Sequence, residues 1–239
     1  MAYGQENRWA VRGSAIDQAA IDVGLREYML RVYNYMASGL ALTGIVAYVA
    51  AYSGFYQSIA GTPLIWVVML APLALVFFFS VRLERMSLGA AQATFWVFAA
   101  VMGLSLAGIF LVFTGASIAR VFFITAGTFA AMSLYGYTTK TDLSRFGSFL
   151  MMGLIGIILA SLVNLFVGSS ALQFAISVIG VLVFTGLTAW DTQRIKEMYV
   201  ENQDGTVTGK KAVLGALQLY LDFINLFMML LQLLGVRRD

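Results

Sequence analysis

Two aspartates lie in segments that are otherwise apolar enough to cross a bilayer. Asp222 stands in the middle of the run Leu219–Phe227, and Asp191 lies where another apolar stretch ends at Trp190. A carboxylate at membrane depth is energetically costly, so one that persists there usually belongs to an ion pathway or a proton site. The pair therefore predicts a site for protons or cations inside a membrane protein.

The chemistry of the pair depends on whether the two acids meet. Two carboxylates about 4 Å apart, at an effective dielectric constant of about 20, repel by about 4 kcal/mol. We therefore expect Asp191 and Asp222 to share one proton and to titrate as a unit. Loss of that proton would loosen the helices and leave a doubly charged oxygen site suited to calcium as a transient, transported ion. The other interpretation is two unrelated polar groups, one at the membrane interface and one joining helices.

A stripe of polar side chains runs along the last apolar segment at steps of four and three residues, which places them on one helical face. Its members are Gln218, Asp222, Asn225, Met229 and Gln232. Such a face cannot point at lipid, and the preceding segment carries a shorter polar face that includes Thr188. We expect Gln218, Asn225 and Thr188 to line the pathway.

Composition excludes an ordinary soluble domain. Of 239 residues, 60% are hydrophobic and only 11% are charged, and the mean hydropathy is +0.84. The absence of cysteine excludes disulfides and thiolate metal sites, and the absence of histidine leaves any response near neutral pH to carboxylates. The basic residues flank apolar spans, which indicates membrane topology rather than nucleic-acid binding, and we expect no bound cofactor.

Apolar stretches of about 20 residues, the length that crosses a bilayer, occur seven times. They are Val32–Ser53, Leu64–Val81, Leu88–Phe113, Ile118–Tyr137, Phe146–Val167, Leu172–Trp190 and Ala212–Val236. The pattern predicts an all-α membrane domain over residues 32–236. It is preceded by a cytoplasmic segment 1–31, with a helix over Ser14–Arg31 at the interface, and followed by a short tail, 237–239. The one long connection is Thr192–Lys211.

Lysine and arginine set the orientation. With the N-terminus inside, the cytoplasmic basic residues are Arg8, Arg12, Arg26, Arg31, Arg82, Arg85, Lys140, Arg145, Arg194, Lys196, Lys210 and Lys211, and the outer ones are Arg120, Arg237 and Arg238. This bias predicts a cytoplasmic N-terminus. The two arginines of the tail are discordant, because seven crossings place them outside. Arg82 itself is either an ordinary cytoplasmic flank or a counter-charge to the acids.

Four segments resemble the transmembrane Bax inhibitor motif family, in its bacterial Bax inhibitor-1-like branch. They are Trp190–Gln193, Leu219–Phe227, Phe122–Thr128 and Ser133–Thr138. The resemblance covers nearly the whole chain from Arg31 onward. It implies a seven-helix fold with the last helix central, a pH-sensitive calcium leak, and a bacterial inner membrane as the location.

Residue by residue, the resemblance matches Asp191 and Asp222 to the family's paired aspartates and Arg82 to an arginine beside them. One departure lies in the second span, where Ala71 stands in the place of an acid about eleven residues before that arginine.

Two other functions remain open. Some bacterial relatives are associated with a membrane-bound quality-control protease, which would make the chain its modulator or binding partner. Paired aspartates also occur in intramembrane aspartyl proteases, but these need a Gly-x-Gly-Asp pattern that Leu219–Asp222 lacks. We therefore expect no enzyme activity.

Overall fold

The computed structural model describes the backbone of residues 3–200 and 204–238, and the side chains from residue 23 onward within those ranges. Its helices are α1 (Tyr3–Tyr52), α2 (Phe55–Ala60), α3 (Leu64–Arg82), α4 (Leu88–Leu106), α5 (Ile109–Val112), α6 (Gly115–Thr138), α7 (Ser144–Val167), α8 (Ser170–Glu197) and α9 (Gly205–Leu234). A single 3₁₀ turn, Leu83–Arg85, follows α3. Seven helical segments are long and apolar enough to cross a membrane, which confirms the predicted fold class.

Several spanning helices begin at a side chain that accepts a hydrogen bond from their first turn. These caps are Ser87 for α4, Thr114 for α6, Ser169 for α8 and Asp204 for α9. The first N–H groups of a helix have no partner within it, so each cap fixes where its helix starts.

The first helix is longer than the sequence pattern predicts. It runs without a break from Tyr3 to Tyr52, so the helix begins well before the predicted span at Val32. Tyr28 and Met29, which precede the predicted span, are buried in the core and hold this part of α1 on the bundle. The expected interfacial helix Ser14–Arg31 is thus continuous with the first span. The side chains of residues 1–22 lie outside the described part of the chain.

The prediction of a long connection between the last two spans is wrong. Helix α8 continues to Glu197 and α9 begins at Gly205, so most of Thr192–Lys211 is helical. Ile195 is fully buried against Gly215 of α9, and this contact extends both helices beyond their apolar stretches.

The third span matches its predicted bounds closely, at Leu88–Val112, but its helix is not continuous. Helix α4 ends at Leu106 and the short α5 follows from Ile109, so the predicted helix Leu88–Phe113 is interrupted between them.

The spanning helices differ in hydropathy and in how much of their surface is buried. The most apolar spans, α3 and α7, have mean hydropathies of 2.6 and 2.5 and the smallest buried shares. Their large side chains point outward, as with Phe149 and Phe166, which are 71% and 88% exposed. Lipid tails are as apolar as these side chains, so such exposure carries no penalty in a membrane. Helix α9 has the largest buried share and contacts α1, α4, α6 and α8.

The C-terminal tail is paired with the connection between α5 and α6. The N–H of Thr114 donates to the carbonyl of Val236 at 2.9 Å, and the N–H of Arg238 donates to the carbonyl of Val112 at 2.9 Å. The side chain of Arg238 also donates to the hydroxyl of Tyr52 at the end of α1. Helix α9 therefore runs the length of the bundle and ends beside the C-terminal end of α1.

Candidate functional site

Asp191 lies on α8 six residues before the helix ends at Glu197, as expected if the helix continued past the apolar stretch. It is 9% exposed, and its neighbours Thr188 and Thr192 are fully buried. The hydroxyls of these threonines donate to backbone carbonyls of their own helix, Thr188 to Phe184 and Thr192 to Thr188. Helix α8 therefore presents an acid with hydroxyl groups on either side to the bundle interior.

Asp222 lies on the inner side of α9 and is 5% exposed. Two close contacts fix the register of the antiparallel helices: Gly215 packs on Ile195, and Gly180 packs on Met229. This register sets Asp222 opposite Thr188, about one turn deeper than Asp191. Side chains in a helix lean toward its N-terminus, so the two carboxyl groups approach each other from opposite directions.

The two acids meet. The side chains of Asp191 and Asp222 lie within hydrogen-bonding contact of each other. Two carboxylates are both acceptors, so this contact is satisfied only when one of them carries a proton. The geometry therefore brings together the two residues that the sequence predicts as a pair.

Two acceptor oxygens beside the pair have no hydrogen-bond partner. They are Oδ2 of Asp222 and Oε1 of Gln218, both buried and one helical turn apart on α9. Buried oxygens without donors are costly unless a proton, a water molecule or a cation satisfies them. The face of α9 toward Asp191 thus offers carboxylate and amide oxygens, the ligand types that hard cations prefer.

The described residues contain no group of three or more acidic, histidine or cysteine side chains that could hold a metal ion. Of the other predicted lining residues, Asn225 is partly buried and donates to the carbonyl of Leu221, and Thr188 donates to Phe184. Both nevertheless keep acceptor oxygens.

Arg82 and Arg194 differ in their positions relative to the acid pair. Arg82 ends α3, is exposed, and forms no ion pair with a described residue. The cation whose charge acts on Asp191 is Arg194, three residues along α8, with its guanidinium 5.5 Å from the centre of the Trp190 ring. The role of Arg82 as a counter-charge stays a prediction.

Hydroxyl groups connect the site to neighbouring helices, and sequence reasoning missed most of these contacts. Ser133 on α6 bonds to Thr192 at 3.0 Å and to Tyr33 on α1 at 2.6 Å. The hydroxyl hydrogen of Thr192 is used in its bond to the Thr188 carbonyl, so Ser133 is the donor to Thr192. The hydrogen of Ser133 is then used as well, so Tyr33 is the donor to Ser133. This chain of hydroxyls joins α1, α6 and α8 next to Asp191.

A second hydroxyl contact lies near Asp222. Tyr220, fully buried two residues before the acid, donates to Thr43 at 2.6 Å, and Thr43 donates to the carbonyl of Ala99. Thr43 and Tyr33 carried no signal in the sequence, because a single hydroxyl in an apolar span looks like ordinary helix contact.

Small residues allow the neighbouring helices to approach α8 at the level of the acid. A Cβ atom on Gly136 of α6 would lie 2.1 Å from the carbonyl oxygen of Ala189, and one on Gly147 of α7 would lie 2.2 Å from the Trp190 ring. These glycines therefore fix the positions of Ala189 and Trp190, which directly precede Asp191.

Comparison with known proteins finds similarity along most of the chain. A family profile described as "Inhibitor of apoptosis-promoting Bax1" matches residues 25–239. The protein RP147 of Rickettsia prowazekii is 52% identical over 223 residues, which cover 91% of this chain and 93% of that protein. The inner membrane protein YbhL of Escherichia coli is 50% identical over 219 residues, covering 90% and 94%. The membrane protein SpyM3_0260 of Streptococcus pyogenes is 37% identical over 218 residues, covering 90% and 94%.

Proposed function

Because this chain belongs to the family of inhibitors of apoptosis-promoting Bax1, a family of integral membrane proteins, we propose that it is a pH-sensitive calcium leak. In this proposal, Asp191 and Asp222 form its proton-sharing gate and transient ion site. The chain sits in a bacterial inner membrane with its N-terminus in the cytoplasm. The name of the Escherichia coli relative supports the membrane assignment, and the distribution of lysine and arginine supports the orientation.

The observation that carries the proposal is the contact between two buried acids, with unpartnered oxygens on Asp222 and Gln218 beside it. If the acids belonged to a structural ion pair, a cation would lie against them. If they only joined two helices, their acceptor oxygens would have hydrogen-bond donors within the protein. A group of acceptors in excess of donors instead favours a site that a mobile proton or cation fills.

The proton decides between two states of the pair. At acidic pH a shared proton joins Asp191 to Asp222 and holds α8 against α9. When that proton leaves, two charges about 4 Å apart repel by about 4 kcal/mol at an effective dielectric constant of about 20. The repulsion loosens the two helices, and the doubly charged oxygen site then attracts calcium. Flux should therefore rise as pH increases through neutrality.

The experiment measures calcium flux into liposomes that contain the purified protein, as a function of pH. The wild type should pass calcium down its gradient, with a step near neutral pH. Asp222→Asn keeps the shape of the side chain but removes one charge and the mutual repulsion, so the step should disappear and flux should fall.

Asp142→Asn is the matched control. Hydrogen bonds from Ser144 hold the pKa of Asp142, an exposed acid between α6 and α7, below its usual value. Asp142 is therefore already charged throughout the neutral range, and its replacement should leave the step intact. Survival of the wild-type step in Asp222→Asn would rule out the paired-acid gate. Absence of flux at every pH from folded protein would instead favour the role of modulator of a membrane-bound protease.

A further inference from the structure

A groove separates α1 from α6 along the side of the bundle. Both helices pack on α9 but make few contacts with each other, and a cavity of about 580 Å³ lies between them at the end where α1 carries Arg26. The walls are almost wholly apolar, with Met29, Met36 and Phe129 inside. The rim residues Leu30 and Leu134 are 52% and 63% exposed, so the groove opens sideways, toward lipid in a membrane.

The groove continues deeper into the bundle. A second cavity of about 580 Å³ shares Met36, Ala37 and Phe129 with the first. Small side chains on the facing helices, Ala37 of α1 and Ala130 of α6, leave this space open. An apolar space that opens into a bilayer and ends inside the protein fits a hydrocarbon chain.

The mouth of the groove is cationic. Arg26 lines it and makes no ion pair with a described residue, while its acidic neighbour Glu27 bonds instead to Arg31. Lys196 lies behind the lining residue Tyr137: its ammonium donates to the Tyr137 carbonyl at 2.9 Å and lies 5.2 Å from the centre of the ring. Basic residues beside an apolar groove at the membrane boundary are typical of sites for acidic lipid headgroups.

Inside the mouth, the two hydroxyls are already satisfied. Tyr33 and Ser133 bond to each other at 2.6 Å across the back of the cavity. The charge of Arg26 is thus the main polar requirement that an occupant has to meet, and a phosphate group would meet it.

The dimensions fit one leaflet. Arg26 and Ala37 are eleven residues apart on α1, which corresponds to about 16 Å of helix rise. One leaflet contributes half of a hydrocarbon core of about 30 Å. A lipid with its phosphate at Arg26 would therefore extend its tail to the junction of the two cavities.

We propose that the groove between α1 and α6 binds one anionic phospholipid of the leaflet on the N-terminal side, with the phosphate at Arg26 and an acyl chain along Met36 and Phe129. A helix from a partner or from a second copy would need an acidic residue at the level of Arg26 as well as an apolar face. The bound lipid would pack beside the hydroxyl chain from Tyr33 to Thr192, outside the acid pair.

The test is thermal unfolding of the purified full-length protein in mild detergent, titrated with phosphatidylglycerol or with phosphatidylcholine of identical acyl chains. Phosphatidylglycerol should stabilise the wild type at lower concentration than phosphatidylcholine. Arg26→Gln should weaken the apparent affinity for phosphatidylglycerol about fivefold, as expected for one basic residue near a lipid surface, and should leave phosphatidylcholine unaffected. Ala37→Phe, or Ala130→Phe on the opposite wall, should weaken both lipids by filling the cavity.

Two control variants and a free anion complete the design. Arg85→Gln removes an exposed arginine outside the cavity, and Ala93→Phe enlarges an exposed alanine of α4 outside it, so both should behave as the wild type. Inorganic phosphate alone should have no effect, because it lacks the acyl chain.

Three results would overturn the proposal. One is equal affinity of the wild type for the two lipids, and another is the same loss in Arg85→Gln as in Arg26→Gln, which would indicate diffuse surface charge. The third is a dimer in lipid-free detergent that Ala37→Phe converts to a monomer, because the groove would then hold a second copy.

Discussion

A buried carboxylate keeps its charge only where donors or cations surround it, and Asp222 has neither among the described residues. Its Oδ2 atom is unpartnered, and the charged group that acts on it is Asp191. Asp191 is less isolated, because the charge of Arg194 acts on it from the same helix. The two acids therefore differ in their surroundings, since a cation acts on Asp191 and none acts on Asp222 among the described residues.

Because one contact joins the acids, their replacements should not be additive. We predict that Asp191→Asn and Asp222→Asn each remove the step in the calcium flux near neutral pH. The double variant should be little worse than either single one, since both act through the same interaction. Flux measured against pH for the wild type and the three variants gives the coupling. Losses that add in full would mean that the acids act independently.

Replacements of Arg82 and Arg194 should differ in their effects on calcium flux. We predict that Arg82→Ala, at an exposed position on α3, changes calcium flux less than Asp222→Asn, because the pair and not the arginine holds the proton. Arg194→Ala removes the cation that acts on Asp191 and should shift the flux step further than Arg82→Ala does. The same liposome assay compares them. A larger effect of Arg82→Ala than of Asp222→Asn would assign the gate to the arginine.

At the scale of helices, the site depends on how closely α6 and α7 approach α8. Gly136 lies against the backbone of Ala189, where no side chain fits, whereas Gly127 on the same helix faces open space. The helix contacts at the level of Asp191 are therefore made by backbone and small residues, and they leave little freedom for the acid to move sideways.

This packing gives a direct test of stability. We predict that Gly136→Ala destabilises the protein by about 1–3 kcal/mol, as overpacked sites do, because the added Cβ would lie 2.1 Å from the carbonyl oxygen of Ala189. Gly127→Ala, which meets nothing within 4 Å, should be neutral or slightly stabilising. Thermal unfolding in detergent measures both. Equal midpoints for the two variants would mean that α6 shifts at no cost.

Much of this arrangement is predictable from the sequence, because hydrophobic length and the spacing of polar residues carry it. Span length identified the seven crossing segments, and the steps between Gln218, Asp222 and Asn225 predicted the inward face of α9. Helix ends were less predictable. Turns such as those around Tyr28 and Ile195 are held by burial against other helices, and that burial is not visible in local hydropathy. The contacts of Tyr33 and Thr43 depend on partners 100 and 177 residues away.

At the scale of the whole molecule, the pairing of the tail bears on the discordant arginines. Arg237 and Arg238 lie beside the end of α5 and the end of α1, and they are held there by backbone hydrogen bonds and by Tyr52. Positive charge near a span usually stays in the cytoplasm. Here the tail is attached to the opposite end of the bundle from the connection between α8 and α9.

We therefore predict that the C-terminus faces outward and the N-terminus lies in the cytoplasm. The chain has no cysteine, so single cysteines can be labelled in cells with a reagent that does not cross the membrane. Asp239→Cys should be labelled from outside, as should Ser58→Cys, an exposed position near the end of α1. Lys140→Cys, in the exposed connection between α6 and α7, should react only after the membrane is opened. If Asp239→Cys behaved like Lys140→Cys and reacted only after the membrane is opened, while Ser58→Cys reacted from outside, α9 would not cross the membrane.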